Sequence, residues 1–486
     1  MNLEKGIKLK NNFILYLFIA FLSSVLLYFS YPPYGLWYFA FFAFIPLLLI
    51  SEKRAFLGFF AGFLSGFFFF SISLYFLKYV AGFIYLLLAL YLALYWGIFF
   101  SLIFSFDKKK IIFLGGCIYF FLEIIMANFL TGFPWLPLGL TQYNNFHILK
   151  IAKFTGIFGL SFILITFNLF LYTLIKRIFS FQQIFFIFFL LTLFFLTKIP
   201  ERKILKGKLN ILLLQPNFIP EKITSYENKE KILSLLKKYV SYKKVDIVIL
   251  PEGVFEGNIL KEKEFLEELK NFSKFKKCAI LIGSFTGDDE NLYNSSIFIN
   301  GDKIEIYNKI RLVPYGEFIL GGKFKVIKNL YVKIAGYEPY LKSGKEYKIF
   351  EYKGIKFSTP ICYENIFPNL IENFLNHGSD FFVVITNDSW FQNSIGPYQH
   401  FYHNIFRSVE TGRYFLQAGL TGITGIVKPE GKIEKILEKN GKKLFFEGNL
   451  FHSLNVYIYK TFYSNFGIYP FSLFTIILTG VLLCKN

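Results

Sequence analysis

The 486-residue chain is poor in charge, in acid and in cysteine. Charged residues are 18% of it, against roughly 25% in a soluble globular domain, so a wholly soluble protein is excluded. Hydrophobic residues reach 54% and the mean hydropathy is +0.45, which excludes a disordered chain. Four cysteines in so long a chain cannot form a disulfide framework. No internal repeat, low-complexity linker, Walker sequence, dinucleotide fingerprint or nucleic-acid motif is present. His400 and His403 stand three apart, but without a third ligand or an HExxH pattern they predict no metal site. Nothing in the sequence asks for a cofactor or a nucleic-acid partner.

What is abundant is phenylalanine, 67 residues, and it is unevenly placed. Residues 1–207 carry 17 Lys+Arg and 5 Asp+Glu, a net of +12; residues 208–486 carry 36 and 28, a net of +8, and together these give the chain's +20. A membrane-spanning helix needs roughly 20 mainly apolar residues. Seven candidates precede residue 200: 12–30, 36–50, 56–77, 80–105, 111–129, 155–175 and 181–197. The second is short and reads as partly re-entrant. An eighth, 467–484, closes the chain. Residues 12–30 follow Lys5, Lys8 and Lys10 as a signal peptide would. Without a small-x-small cleavage site they predict an uncleaved helix. Lys and Arg favour the cytoplasmic loops. One side has Lys5, Lys8, Lys10, Lys53, Arg54, Lys108, Lys109, Lys110, Lys176, Arg177 and Lys485. The other has Lys78, Lys150 and Lys153, joined by Lys198, Arg202, Lys203 and Lys206 at the mouth of the large domain. The expected organisation is therefore a membrane domain over 1–207, an extracytoplasmic domain over 208–448, and a return segment over 449–486.

The outer domain alternates strands and helices. LNILLLQ (209–215), VDIVIL (245–250), CAILIGS (278–284) and FFVVITN (381–387) are apolar runs of buried-strand length. Residues 228–242 and 263–275 have helical spacing. INGDKIEIY (299–307) and VKPEGKIEKI (427–436) carry hairpin turns. This predicts a layered α/β domain. Its two cysteines are Cys278, which opens a buried strand, and Cys362, left as a lone thiol outside the cytoplasm.

Three segments carry titratable groups past apolar runs, where strand ends of α/β folds gather polar groups. VILPEGVF holds Glu252, YNKIRLVPYGEF holds Lys309 and Glu317, and STPICYENIFP holds Cys362 and Glu364. Together a Glu, a Lys and a Cys make an acyl-transfer set. A nearby cation is expected to lower the thiol pKa, the carboxylate to move protons, and the lysine with a backbone N–H such as that of Tyr363 to hold an oxyanion. Each residue also has a plainer reading: Pro-Glu as a turn, Lys309 on a solvated face, Cys362 as small core filling.

These segments resemble the nitrilase superfamily, and more closely the apolipoprotein N-acyltransferase family of bacterial envelopes. SYPPYGLWYFAFFAFIPLL (30–48), TGFPWLPLGLTQ (131–142), LVPYGEF (312–318), ICYE (361–364) and ITNDSWFQNSIGPYQHF (385–401) look like its motifs. The resemblance implies a multi-pass helical membrane domain joined to an extracytoplasmic nitrilase-like αββα sandwich, in a bacterial inner membrane with the catalytic domain on the periplasmic face. It implies Glu252 as general base, Lys309 as triad lysine and Cys362 as acylated nucleophile, supported by Glu317, Tyr363 and Glu364. One departure stands out: family members often have a Trp soon after the first domain strand, and QPNFIPEKITSY (215–226) has none.

The resemblance further implies a two-step reaction. Cys362 takes an acyl chain from a phospholipid as a thioester and passes it to the α-amino group of a diacylglyceryl-cysteine at an apolipoprotein's N-terminus. The partners are thus the phospholipid donor, the apolipoprotein acceptor and the bilayer, with the enzyme a monomer. Trp135 in 131–140, Trp390 and Pro397 in 389–401, and the glycine- and lysine-bearing stretch 319–337 are candidates for substrate walls or a lid. Their plainer reading is interdomain packing. Glu123, inside the fifth apolar segment, reads as a structural hydrogen-bonding group. The rival readings are a membrane-anchored amidase with water as acceptor, and a transporter with an accessory domain.

Overall fold

The computed structural model describes residues 2–50, 55–240, 244–288, 291–336 and 338–484. Lys53, Arg54, Lys485, Tyr242 and Tyr337, used in the sequence reading, fall outside them. The chain divides into two compact units, residues 1–200 with 465–486, and residues 201–464.

Among the described residues the first unit is helical, and four of its helices are long and apolar enough to cross a membrane: Ala55–Ser73, Tyr75–Ile103, Ile111–Asn128 and Ala152–Ile175. Four more apolar helices are shorter: Ile14–Ser30, Trp37–Ile50, Phe181–Leu196 and Tyr469–Cys484. Phe56, Phe83, Phe179 and Phe181 are strongly exposed, as lipid-facing side chains are. Gly58, Gly62 and Gly66 form a small-residue stripe that admits the facing helix. A Cβ on Gly62 would stand 2.6 Å from the Trp96 carbonyl oxygen. The segment 36–50 is broken into a turn, Trp37–Phe41, and a short helix, Ile45–Ile50. Its open backbone is met by Asn168, which accepts from the Phe44 N–H (3.1 Å) and donates to the Ala40 carbonyl (2.9 Å), because lipid offers no partner. Glu123 accepts the Leu138 N–H at 2.7 Å and so anchors the turn Leu138–Gln142. That is the structural bond its sequence context suggested.

The second unit is an αββα sandwich. Among the described residues its strands are β1 (Lys203–Gln215), β2 (Ile247–Ile249), β3 (Ala279–Gly287), β4 (Leu292–Asn300), β5 (Lys303–Asn308), β6 (Phe350–Tyr352), β7 (Ile355–Ser358), β8 (Phe381–Thr386), β9 (Tyr414–Gly419), β10 (Gly425–Val427), β11 (Ile433–Ile436) and β12 (Gly448–Tyr459). They form two six-stranded sheets, ordered β12-β1-β2-β3-β4-β5 and β11-β10-β9-β8-β7-β6. Both repeat one pattern, a parallel centre (β1-β2-β3 and β7-β8-β9) with antiparallel strands outside it. The four apolar runs seen in the sequence lie at these centres, buried on both faces. Between the sheets Phe298 of β4 meets Phe350 and Phe357 at 5.6 and 5.4 Å. Outside the first sheet, helices Ser225–Val240 and Lys263–Lys276 bury Leu236 and Leu269 against Val248 and Ile280. Helices Pro368–Asn376 and Gly396–Thr411 accompany the second sheet. Both hairpins form, β4–β5 and β10–β11.

Candidate active site

Parallel strands end together, and at the ends of β2, β5, β7 and β8 polar groups converge. Glu252 sits on the turn just past β2. That turn can rest on β3 because the strand carries Gly283, whose N–H donates to the Pro251 carbonyl at 3.2 Å. A Cβ there would lie 2.5 Å from Glu252 Cα. Lys309 follows β5, and its N–H donates to the Asn294 carbonyl of β4 at 2.9 Å. Its side chain is buried, not on a solvated face. Its ammonium donates to Glu252 Oε1 at 3.1 Å and to Glu317 Oε1 at 2.9 Å.

Each carboxylate is further held. Asn294 Nδ2 donates to both, at 2.7 Å to Glu252 and 2.9 Å to Glu317. The Asn387 N–H donates to Glu252 Oε2 at 2.8 Å, and the Val313 N–H to Glu317 Oε2 at 2.7 Å. Burial alone would raise the Glu252 pKa, but Lys309, Asn294 and the Asn387 N–H outweigh it and hold the carboxyl below its ordinary range. Burial likewise disfavours the Lys309 ammonium, yet Glu252, Glu317 and Cys362 hold its pKa well above the usual lysine value. The resting pair is a carboxylate and an ammonium.

Cys362 opens the turn Cys362–Ile366, after the bridge that pairs Ile361 with Ile385 beside β8. Its φ is +49°, left-handed backbone that costs a non-glycine residue roughly 1–2 kcal/mol. It is half-buried and free. The expectation that a nearby cation lowers its pKa is corrected here. Burial pushes the thiol well up and the Glu252 charge pushes it further, and both outweigh the opposite pull of Lys309. The resting sulfur is therefore a thiol that needs a base, and of the two carboxylates whose charge it feels, Glu252 and Asp388, Glu252 acts more strongly.

The supporting residues divide. Glu317 belongs to the charged cluster. Glu364 is fully buried and ties two loops together. It accepts from the Ile361 N–H beside Cys362 (2.7 Å), from the Ile310 and Arg311 N–H groups beside Lys309 (2.7 and 2.9 Å), and from the Tyr307 hydroxyl (2.8 Å). Burial raises its carboxyl to about 7 against these donors. Tyr363 is buried with its ring 5.0 Å from that of Phe367, and its backbone follows Cys362 in the turn. Trp390 is exposed, two residues past Asp388, while Pro397 is buried in the first turn of helix Gly396–Thr411. Trp135 lies in the other unit, packed on Phe76 and Phe133. The stretch 319–336 contains helix Lys325–Ala335, with Phe324 and Val326 strongly exposed. Where the family often has a Trp, Phe218 is half-buried against the core of the first sheet.

The sequence reading missed Asn294, Asn387 and Asp388, and it set His400 aside. Asn294 lies inside a strand among other polar residues, so nothing in the sequence singled it out. Cys362 Sγ, an Asp388 oxygen and a His400 nitrogen lie within 4.8 Å of one another. Asp388, the His400 ring and the Cys362 carbonyl form a hydrogen-bond chain. His400 Nδ1 meets Asp388 Oδ1 at 2.9 Å and Nε2 meets the Cys362 carbonyl at 3.0 Å, so the ring turns no lone pair toward an ion.

A family model described as "Apolipoprotein N-acyltransferase N-terminal domain" matches residues 23–170, and one described as "Carbon-nitrogen hydrolase" matches residues 214–445. The chain is 32% identical over 372 residues to an apolipoprotein N-acyltransferase of Wigglesworthia glossinidia brevipalpis, covering 73% of this chain and 71% of that one. It is 32% identical over 334 residues to one of Aquifex aeolicus, covering 66% and 72%. Apolipoprotein N-acyltransferase 1 of Treponema denticola is 26% identical over 494 residues, covering 88% and 90%. Among solved structures, a Nesterenkonia amidase from the nitrilase superfamily is similar to 51% of this chain over 92% of its own, at 15% identity and a TM-score of 0.40.

Proposed function

This chain belongs to the apolipoprotein N-acyltransferase family, and from that premise we propose how its own residues carry the reaction. It is an acyltransferase with a carbon-nitrogen hydrolase domain, and its apolar helices make it a membrane protein. The acyl donor is a phospholipid and the acceptor the α-amino group of a diacylglyceryl apolipoprotein. Catalysis takes place on the extracytoplasmic face of the inner membrane, which the excess of Lys and Arg on the opposite loops supports.

Acylation begins with the Cys362 thiol. Glu252 takes its proton as Sγ bonds to the ester carbonyl carbon. Lys309 stabilises the oxyanion, helped by a backbone N–H of the Cys362 turn. The carbonyl–oxygen ester bond then breaks. The leaving glycerol oxygen recovers the proton from Glu252 and departs in the lysophospholipid. In the second half the neutral amine attacks the thioester, Glu252 accepts the amine proton, the carbon–sulfur bond breaks and the amide forms. The proton on Glu252 returns to the thiolate. An α-amino group titrates near 8, so a useful fraction is neutral at physiological pH.

The observation that carries this reading is the buried ammonium held between two carboxylates, the charge of one of them also acting on the half-buried Cys362 thiol. Family membership favours the amine over water as acceptor, and so favours acyl transfer over a membrane-anchored amidase. Mass spectrometry of a lipoprotein N-terminus tests it. Active enzyme with phospholipid adds one acyl chain, and a Cys362→Ala enzyme adds none. Release of ammonia from small amides with an unchanged lipoprotein would contradict it.

A further inference from the structure

One fully buried charged pair beside the thiol has no part in the proton transfers above. His400, in helix Gly396–Thr411, and Asp388, in the turn after β8, are both 0% exposed. Each ring nitrogen faces an acceptor. The Asp388 carboxylate takes the Nδ1 bond at 2.9 Å while the same oxygen accepts the Thr386 hydroxyl at 2.9 Å. The Cys362 carbonyl takes the Nε2 bond at 3.0 Å. A ring that donates from both nitrogens carries both protons. Burial opposes that charge, but Asp388 and the Cys362 carbonyl outweigh it and raise the His400 pKa.

The far end of this chain is the nucleophile's backbone. Cys362 is held at φ +49°, which its own side chain disfavours. A strained conformation persists where the surroundings over-determine it. Two anchors are visible: Glu364 holds the Ile361 N–H before Cys362, and His400 holds the Cys362 carbonyl after it. The Asn387–Asp388 turn also reaches the base, through the Asn387 N–H on Glu252.

We propose that His400 is a positioning residue, kept as an imidazolium by Asp388, whose charge-assisted bond to the Cys362 carbonyl locks the nucleophile's left-handed turn and aims its sulfur at the acyl donor. His400 reaches Cys362 through its backbone carbonyl. It acts through the geometry of Cys362, so the inference rests on Cys362 being the acylated residue.

The test uses the purified full chain and a phospholipid with a radiolabelled acyl chain, reading the rate at which label reaches Cys362. His400→Gln keeps an N–H near the position of Nε2. His400→Asn keeps one near Nδ1 and cannot reach the carbonyl. Acylation by His400→Gln is expected within about tenfold of the parent, and by His400→Asn at least about a hundredfold below it, the scale of a misplaced reacting group. Equal losses in the two variants overturn the proposal, because a merely structural histidine does not distinguish which nitrogen is kept. Nitrogen-15 NMR of histidine-labelled parent protein supplies a readout independent of variant folding. With His400→Gln identifying the signal among five histidines, His400 is expected to show two protonated ring nitrogens at pH 7. A neutral ring there also overturns the proposal. If the parent chain itself takes no label at Cys362, the underlying reaction is wrong and this inference falls with it; if the parent labels and the two variants lose equally, only the inference falls.

Discussion

Glu252 rests on Gly283 so closely that a methyl group on that glycine would stand 2.5 Å from Glu252 Cα. The neighbour is backbone, and backbone cannot swing aside. Gly283→Ala is therefore expected to displace the Glu252 turn, at an overpacking cost of about 1–3 kcal/mol. Thermal unfolding should show a modest loss. Turnover should fall far more than stability, because the carboxylate moves relative to Lys309 and Cys362. Unchanged turnover would mean that Glu252 needs no such placement.

Lys309 neutralises a buried carboxylate, Glu252, and a half-buried one, Glu317, at once. Lys309→Met leaves both without their cation, and breaking a buried pair from one side costs about 3–5 kcal/mol. The acylation rate of Cys362 should fall by about 10⁴, the scale of losing one triad member. A Lys309→Met enzyme that loads acyl chains at a near-normal rate would remove the lysine from the mechanism.

The ionisation states make a signed prediction. Cys362 is raised and Glu252 lowered, so the thiol is protonated at neutral pH and its alkylation should still be accelerating above pH 9. A plateau by pH 7 would indicate a resting thiolate. Burial and the Asp388 charge would still raise the thiol in Glu252→Gln, but the larger of the two carboxylate charges is gone, so alkylation at a given pH should become faster while acyl transfer is lost. The lowered Glu252 pKa also stabilises the fold above the ordinary carboxylate range, and that contribution is lost as pH falls through the folded pKa.

Glu364 shows the opposite sign. Its folded pKa of about 7 lies above the ordinary 4.5, so between those values the folded chain holds more protons than the unfolded one. Its contribution is fully present below about 4.5 and is lost as pH rises through about 7. Glu364→Gln cannot titrate, and its amide nitrogen would face backbone N–H donors at a cost of about 1–3 kcal/mol. The melting temperature of the parent minus that of the variant should shrink across this range. A difference independent of pH would mean that Glu364 keeps one ionisation state throughout.

The residues that stood out in the sequence did so because they follow apolar strands. Glu252 and Cys362 come just after runs that had to be buried, and Lys309 after a hairpin marked by its Asn-Gly turn. The buried central strands of the layered α/β domain were legible for the same reason, while its division into two sheets came only from the family resemblance. Asn294 was not legible. It sits within β4 as one polar residue among several, and only the pairing of β4 with β3 and β5 brings it between two carboxylates. His400 looked like half of an absent metal pair with His403, because sequence spacing does not show that its ring faces Asp388. The sign of the thiol shift was also out of reach. It depends on how burial and the Glu252 charge compare with Lys309, which is a matter of distance and not of residue type. The second apolar segment was read correctly as short, and the length limit of the others emerged only once their helix ends were placed.

The most direct measurement is to trap the enzyme with labelled phospholipid in the absence of lipoprotein and map the label by mass spectrometry. One acyl chain is expected on Cys362, released by hydroxylamine, absent in Cys362→Ser, and transferred to the α-amino group when a diacylglyceryl peptide is added. Label on any other residue, or a lipoprotein that matures with no acyl chain ever resident on Cys362, would contradict the account.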